Sequence, residues 1–150
     1  MILLTIATIV ATSACGLFAG AAIYINLVEH PARLSCGTAL AVREFGPSYR
    51  RATILQASLA VIGCSAGIVA GWQRSDMVIV VAAVMLGLVV PFTLMAIAPT
   101  NHSLLDPAPD ANGPEAAALL RTWGRLHAVR SLLAIVAFLC LVIRVVGHGG

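Results

Sequence analysis

Four groups of polar residues interrupt an otherwise apolar chain, and they have the side-chain types of acid–base and hydrogen-bond chemistry. The first closes the opening hydrophobic stretch, which ends "YINLVEHP" at residues 24–31. Asn26 and His30 are four apart and Glu29 is three from Asn26, so on a helix all three share a face. Tyr24 lines up instead with Gly16 and Gly20. The second group is Tyr49, Thr53 and Gln56, at i, i+4 and i+7. The third is Thr93, one turn beyond a kink expected at Pro91, followed by Asn101 and His102 in "APTNHSLLD". The fourth, Trp123, His127 and Arg130, repeats the i, i+4, i+7 spacing. Arg130 enters an apolar zone, where an unpaired charge is costly, and Glu29 is its expected counter-ion. If these residues meet, they enclose one polar cavity near one membrane surface.

Each group also has a plainer reading. Trp72, Tyr49 and Trp123 suit an aromatic belt, and Arg33, Arg43, Arg50 and Arg51 suit topology or lipid headgroups. Glu29 and His30 can mark the water boundary, Asn101 can cap a helix, and His102 and His148 can be solvated.

The elements that must position these groups are membrane helices. The chain has 150 residues, 60% hydrophobic and only 10% charged, where soluble domains carry roughly 25% charged residues. Mean hydropathy is +0.99. No charge occurs before Glu29, between Ala52 and Gln73, or from Met77 to Leu105. Each run supplies the ~20 apolar residues that cross a bilayer. A fourth run, Ser131 to Ile143, is short and spans only if Arg144 snorkels outward or Arg130 is tucked into the bundle. The expectation is one all-α domain, residues 1–150, a four-helix membrane bundle with spans near 2–28, 52–73, 77–98 and 128–147. Pro31 should end the first helix. Short interfacial helices are expected in the long loops, over 32–45 and 114–127, the second capable of running into the fourth span. Residues 106–113, "DPAPDANG", read as a turn-rich linker.

All nine basic residues are Arg and lie at segment ends, not along a solvated stripe, which excludes a nucleic-acid partner. Their bias predicts a cell-membrane protein with both long loops cytoplasmic and both termini outside. The N-terminus lacks a basic n-region and reads as a retained span. Cys15, Cys36, Cys64 and Cys140 form no C-x-x-C pair and read as small hydrophobes. Gly16-x-x-x-Gly20 is a close-packing face that could support a homo-oligomer.

The segments "GLFAGAAIYINLVEHPARL" (16–34), "APTNHSLL" (98–105) and "TWGRLHAVRSLLA" (122–134) resemble the signature segments of the anthrone oxygenase-like family of small integral membrane proteins. The family's Pro-x-Asn-x-x-Leu element corresponds to Pro99, Asn101 and Leu104. Its Trp, Asn or His, then Arg element corresponds to Trp123, His127 and Arg130. The resemblance implies a four-helix membrane protein that oxidises an anthrone-like aromatic to a quinone with dioxygen as co-substrate and without flavin or haem. On that reading the base is His30 oriented by Glu29, with His127 the second choice. Arg130 and Asn101 stabilise the oxyanion, and Tyr24, Asn26, Gln56, Thr93 and Trp123 contact a hydrophobic substrate reached through lipid.

Two other readings stand beside it. Glu29, His30 and His127, with His102, could bind a metal or haem, although no single helix carries an H-x-x-x-H or E-x-x-H pair. Alternatively, the chain is a non-enzymatic membrane subunit that binds lipid or a small molecule, with Glu29–Arg130 as a structural ion pair.

Overall fold

Without water to satisfy it, backbone in lipid must bond to itself, and long apolar runs do so as helices. The computed structural model describes residues 2–106 and 110–147. It contains four helices long and apolar enough to cross a membrane: α1 (Ile2–Ser35), α2 (Thr38–Arg74), α3 (Met77–Leu105) and α4 (Pro114–Gly147). No strand occurs among the described residues. The helices run up and down in chain order. α1 packs against α2 and α4, and α3 against the same two, closing a four-helix bundle.

Two of the connections are very short. Gly37, at φ 92°, reverses the chain between α1 and α2 in a conformation that L side chains rarely adopt. Between α2 and α3, Ser75 takes the left-handed conformation and Asp76 caps α3. Asp76 Oδ1 accepts from the backbone N–H groups of Val78 (3.0 Å) and Ile79 (3.4 Å), while Oδ2 pairs with Arg144 of α4 at 2.7 Å. Close approach of α2 to α3 depends on missing side chains. A Cβ on Gly63 would lie 2.6 Å from Leu86, and one on Gly67 2.6 Å from Ala83.

Helices α1 and α3 each contain one wide π turn, at Ile25–Glu29 and at Thr93–Ile97. Each ends two residues before a proline, Pro31 or Pro99. A proline ring clashes with the carbonyl four residues upstream, here that of Leu27 or Met95. Both carbonyls fall inside the wide turn, which makes room for the ring without ending the helix. Pro31 therefore does not terminate α1, contrary to expectation, and α1 continues to Ser35. The separate interfacial helix expected over 32–45 is divided between the end of α1 and the start of α2. The one expected over 114–127 is the first half of α4.

The apolar core has two parts. One gathers Cys15, Phe18, Ala60, Leu86, Ala134 and Leu141; the other gathers Ile25, Phe45, Ile97, Leu104, Leu120 and Trp123. The four cysteines are unpaired: Cys15 is buried, Cys64 and Cys140 half-buried, Cys36 exposed. Gly16 is used inside the bundle, where a Cβ would meet the Phe138 ring at 2.7 Å, whereas Gly20 has open space beside it. Of the predicted linker, Pro107–Pro109 lies outside the described residues, as does His148. Asp110 folds the remainder into a turn by accepting from the backbone N–H of Asn112 at 2.9 Å.

Candidate active site

His127 is 2% exposed and lies on α4 facing α1. Its orientation is fixed by Asn26, which comes from the π turn of α1. The Asn26 amide Nδ2 donates to the Gly124 carbonyl at 3.2 Å, so the amide oxygen points the other way. That oxygen lies 2.6 Å from His127 Nδ1 and accepts from the Ser131 hydroxyl at 2.5 Å. An amide oxygen only accepts, so Nδ1 carries the imidazole proton. The other ring nitrogen, Nε2, stands 3.2 Å from Arg130 Nη2. A guanidinium only donates, so Nε2 presents a lone pair. Both assignments agree on one tautomer.

Arg130 enters the bundle, as the short fourth apolar run required. Its partners are neutral: Nη2 donates to Gln56 Oε1 and Nη1 to Thr93 Oγ1 at 3.4 Å, and the guanidinium carbon lies 5.3 Å from the centre of the Phe18 ring. Its Nε is buried without a hydrogen-bond partner. Among the described residues no carboxylate pairs with Arg130. The expected Glu29 counter-ion is engaged elsewhere: Glu29 Oε1 binds Arg33 and accepts from the Ser48 hydroxyl at 2.6 Å. Arg33 is itself 7% exposed, also paired with Glu44, and flanked by the Phe45 and Trp123 rings, each 5.9 Å away.

Trp123 stacks on His127 with ring centres 4.7 Å apart and donates its indole N–H to Asn101 Oδ1 at 2.9 Å. This bond orients the Asn101 amide, and its Nδ2, buried in the same wall, has no partner. Asn101 is 1% exposed and caps nothing; it belongs to the wall of the site.

These groups enclose a cavity of about 30 Å³, room for roughly two water-sized ligands. Its walls include Gln56 of α2, Thr93 and Asn101 of α3, and Trp123, His127 and Arg130 of α4, with Glu29 of α1 at its edge. Both π turns contribute, through Ile25, Glu29, Thr93 and Ile97. Wide turns recur at functional sites because they aim side chains that a regular helix cannot.

Several expected site residues lie elsewhere. His30 does not line the cavity. Its ring packs on Trp123 at 5.1 Å and against Gly124, where a Cβ would sit 2.7 Å from Nε2, and its Nδ1 has no partner. Glu29, turned toward Arg33 and Ser48, does not orient His30. Asn26 holds His127 and does not line the cavity. Tyr24 is 56% exposed on the outer surface, beside a groove between α1 and α2. Glu29, His30 and His127 do not converge, and among the described residues no group of three or more His, Cys, Asp or Glu could hold a metal ion. Conversely, Arg33, Ser48, Phe45 and Ser131 are part of the structure around the site and were not expected there. The spacing of Glu29 and Arg33, four apart, was a usable signal for one of them.

Comparison with known families adds one match. A profile described as anthrone oxygenase covers residues 45–140, well over half of the chain. The chain belongs to the anthrone oxygenase family. The matched span includes Gln56, Thr93, Asn101, Trp123, His127 and Arg130, the part of the cavity contributed by α2, α3 and α4 of this anthrone oxygenase family chain. Asn26, Glu29, His30 and Arg33 precede it. Searches of curated proteins and of solved structures give no match.

Proposed function

We propose that the chain oxygenates an enolisable, anthrone-like aromatic within the membrane, using His127 as the base and dioxygen as co-substrate. The observation that carries this reading is the composition of the cavity wall. One ring nitrogen with a lone pair lies beside N–H donors, Arg130 Nε and Asn101 Nδ2, that have no acceptor of their own. Buried donors without acceptors suit a ligand that brings an oxyanion. The family match supports the same class of reaction.

On this reading His127 Nε2 takes a proton from the methylene opposite the substrate carbonyl. The carbonyl oxygen becomes an oxyanion held by Arg130 and Asn101, which draws the guanidinium off the imidazole. The carbanion reduces dioxygen and forms a carbon–oxygen bond, and His127 returns its proton to the peroxide. Removal of the second hydrogen from that carbon, with cleavage of the O–O bond, leaves the quinone carbonyl and releases hydroxide, which takes the proton as water. The four electrons lost by carbon are those gained by dioxygen, so the sequence balances without a resident redox group.

The test is anthrone-dependent oxygen uptake by purified protein in lipid. General-base catalysis contributes about 10²–10⁴-fold, so His127→Ala should lower turnover by about that factor. Arg130→Gln should lower it by about 10²–10³-fold, the scale of an oxyanion donor. Parental turnover in a folded His127→Ala protein refutes the assignment.

A further inference from the structure

Resting on that reading, we propose that the substrate reaches the cavity sideways from the bilayer, between α2 and α3, with its ring system seated in the apolar cleft there. The polar cavity is too small for a ring, so the body of any aromatic substrate must lie outside it. A second space of about 110 Å³ adjoins it. The walls of this cleft are mostly apolar, from Ala57, Val90 and Leu94 with Phe18 deeper in, and Tyr49 and Thr53 of α2 also line it. At its inner end are Gln56, Thr93 and Arg130, which also line the cavity. An apolar slot that ends in hydrogen-bond donors fits a flat ring system carrying one oxygen acceptor at its leading edge.

The other opening is polar. A groove between α1 and α2 reaches Gln56 from the opposite side, but its rim carries Glu29, Glu44, Ser48 and Arg51. Those charged and hydroxyl groups hold water, and stripping it off for an uncharged ring system is costly. The lipid-side wall is also the one built to yield. On α3 the cleft borders the π turn Thr93–Ile97, next to Pro91 and Pro99, where the regular i to i−4 ladder is already broken. On α2 the facing residue is the small, exposed Ala57. At about 110 Å³ the cleft is smaller than the roughly 300 Å³ of ordinary ligand pockets, so the π-turn side of α3 must move outward on binding.

Binding of anthraquinone without turnover tests this. The Trp72→Phe protein in lipid nanodiscs leaves Trp123 as the fluorescent reporter beside the cavity. Anthraquinone should quench it saturably. Ala57→Phe should weaken anthraquinone by about ten-fold or more, the scale on which an apolar pocket rejects a misfit. Ala57→Leu should give an intermediate loss, and Ala21→Phe, in the α1–α2 groove, none. Thermal unfolding and the Trp123 emission of the ligand-free protein, both unchanged, confirm that each variant is folded. Equal anthraquinone affinity in Ala57→Phe and its parent overturns the lateral route and leaves the proposed function standing. A loss in Ala21→Phe instead places the route on the water side and likewise overturns the lateral one. Absence of anthraquinone binding in the parent overturns both.

Discussion

Replacing Asn26 by leucine, which has nearly the same size, tests whether a residue that never touches the cavity sets its chemistry. The amide is held at three points, to Gly124, His127 and Ser131. Leucine removes the acceptor facing His127 Nδ1–H, and a buried donor left unpaired costs about 1–3 kcal/mol. An alternative partner is already in place: the Ser131 hydroxyl lies 3.4 Å from Nδ1. Once free of Asn26 it can donate there, and the imidazole proton then moves to Nε2, the nitrogen proposed to act as base. At about 1.4 kcal/mol per factor of ten, turnover should fall by about 10–100-fold. The assays are oxygen uptake and the ¹⁵N shifts of labelled histidine, which distinguish the tautomers. A second substitution separates positioning from general damage: Ser131→Ala in the Asn26→Leu protein removes the competing donor and should restore part of the rate. Parental turnover with unchanged ¹⁵N shifts in Asn26→Leu would refute the tautomer argument.

Further substitutions probe the packing around the site and the far end of the bundle. Gly124→Ala would bring a methyl group to 2.7 Å from the His30 ring, and overpacking of this kind costs about 1–3 kcal/mol; thermal unfolding in detergent should show the loss, and His30→Ala should relieve it. Asp76 is subject to burial, which pushes its carboxyl up, but the Arg144 hydrogen bond and the backbone N–H groups of Ile79 and Val78 outweigh this and hold it below the usual carboxylate range. Because the folded value is the lower one, this stability is complete above that range and is lost as pH falls through the depressed value. Asp76→Asn should flatten the acid limb of a stability–pH curve, and Asp76→Ala should also lose a helix cap worth about 0.5–2 kcal/mol.

Much of the site could be read from spacing where helices are regular. Gln56 on α2 and Trp123, His127 and Arg130 on α4 follow the i, i+4, i+7 rule, and all four meet at the cavity. The need to hide Arg130 from lipid was legible from the short apolar run after it. In α1 the regular 3.6 residues per turn would place Asn26, Glu29 and His30 on one face, and the structure separates them. A π turn takes up an extra residue, which rotates the remainder of the helix by about 100°. Asn26 therefore faces His127, Glu29 faces Ser48, and His30 packs on Trp123. Proline alone predicts a stop, whereas the wide turn accommodates it. Arg33 is missed for a different reason: counting Arg to orient loops passes over its i, i+4 spacing from Glu29, the one signal that it folds inward to pair with Glu29 and Glu44.

The tie between Asp76 and Arg144 fastens α2, α3 and α4 together at the end remote from the cavity. Thr93 lies seventeen positions along α3 from Asp76, about 25 Å at the helical rise. A pin at one end of a rod that long acts as a pivot: a tilt of about 5° carries the other end through about 2 Å. On the lateral-entry proposal, that distant fastening is the hinge pin about which α3 swings.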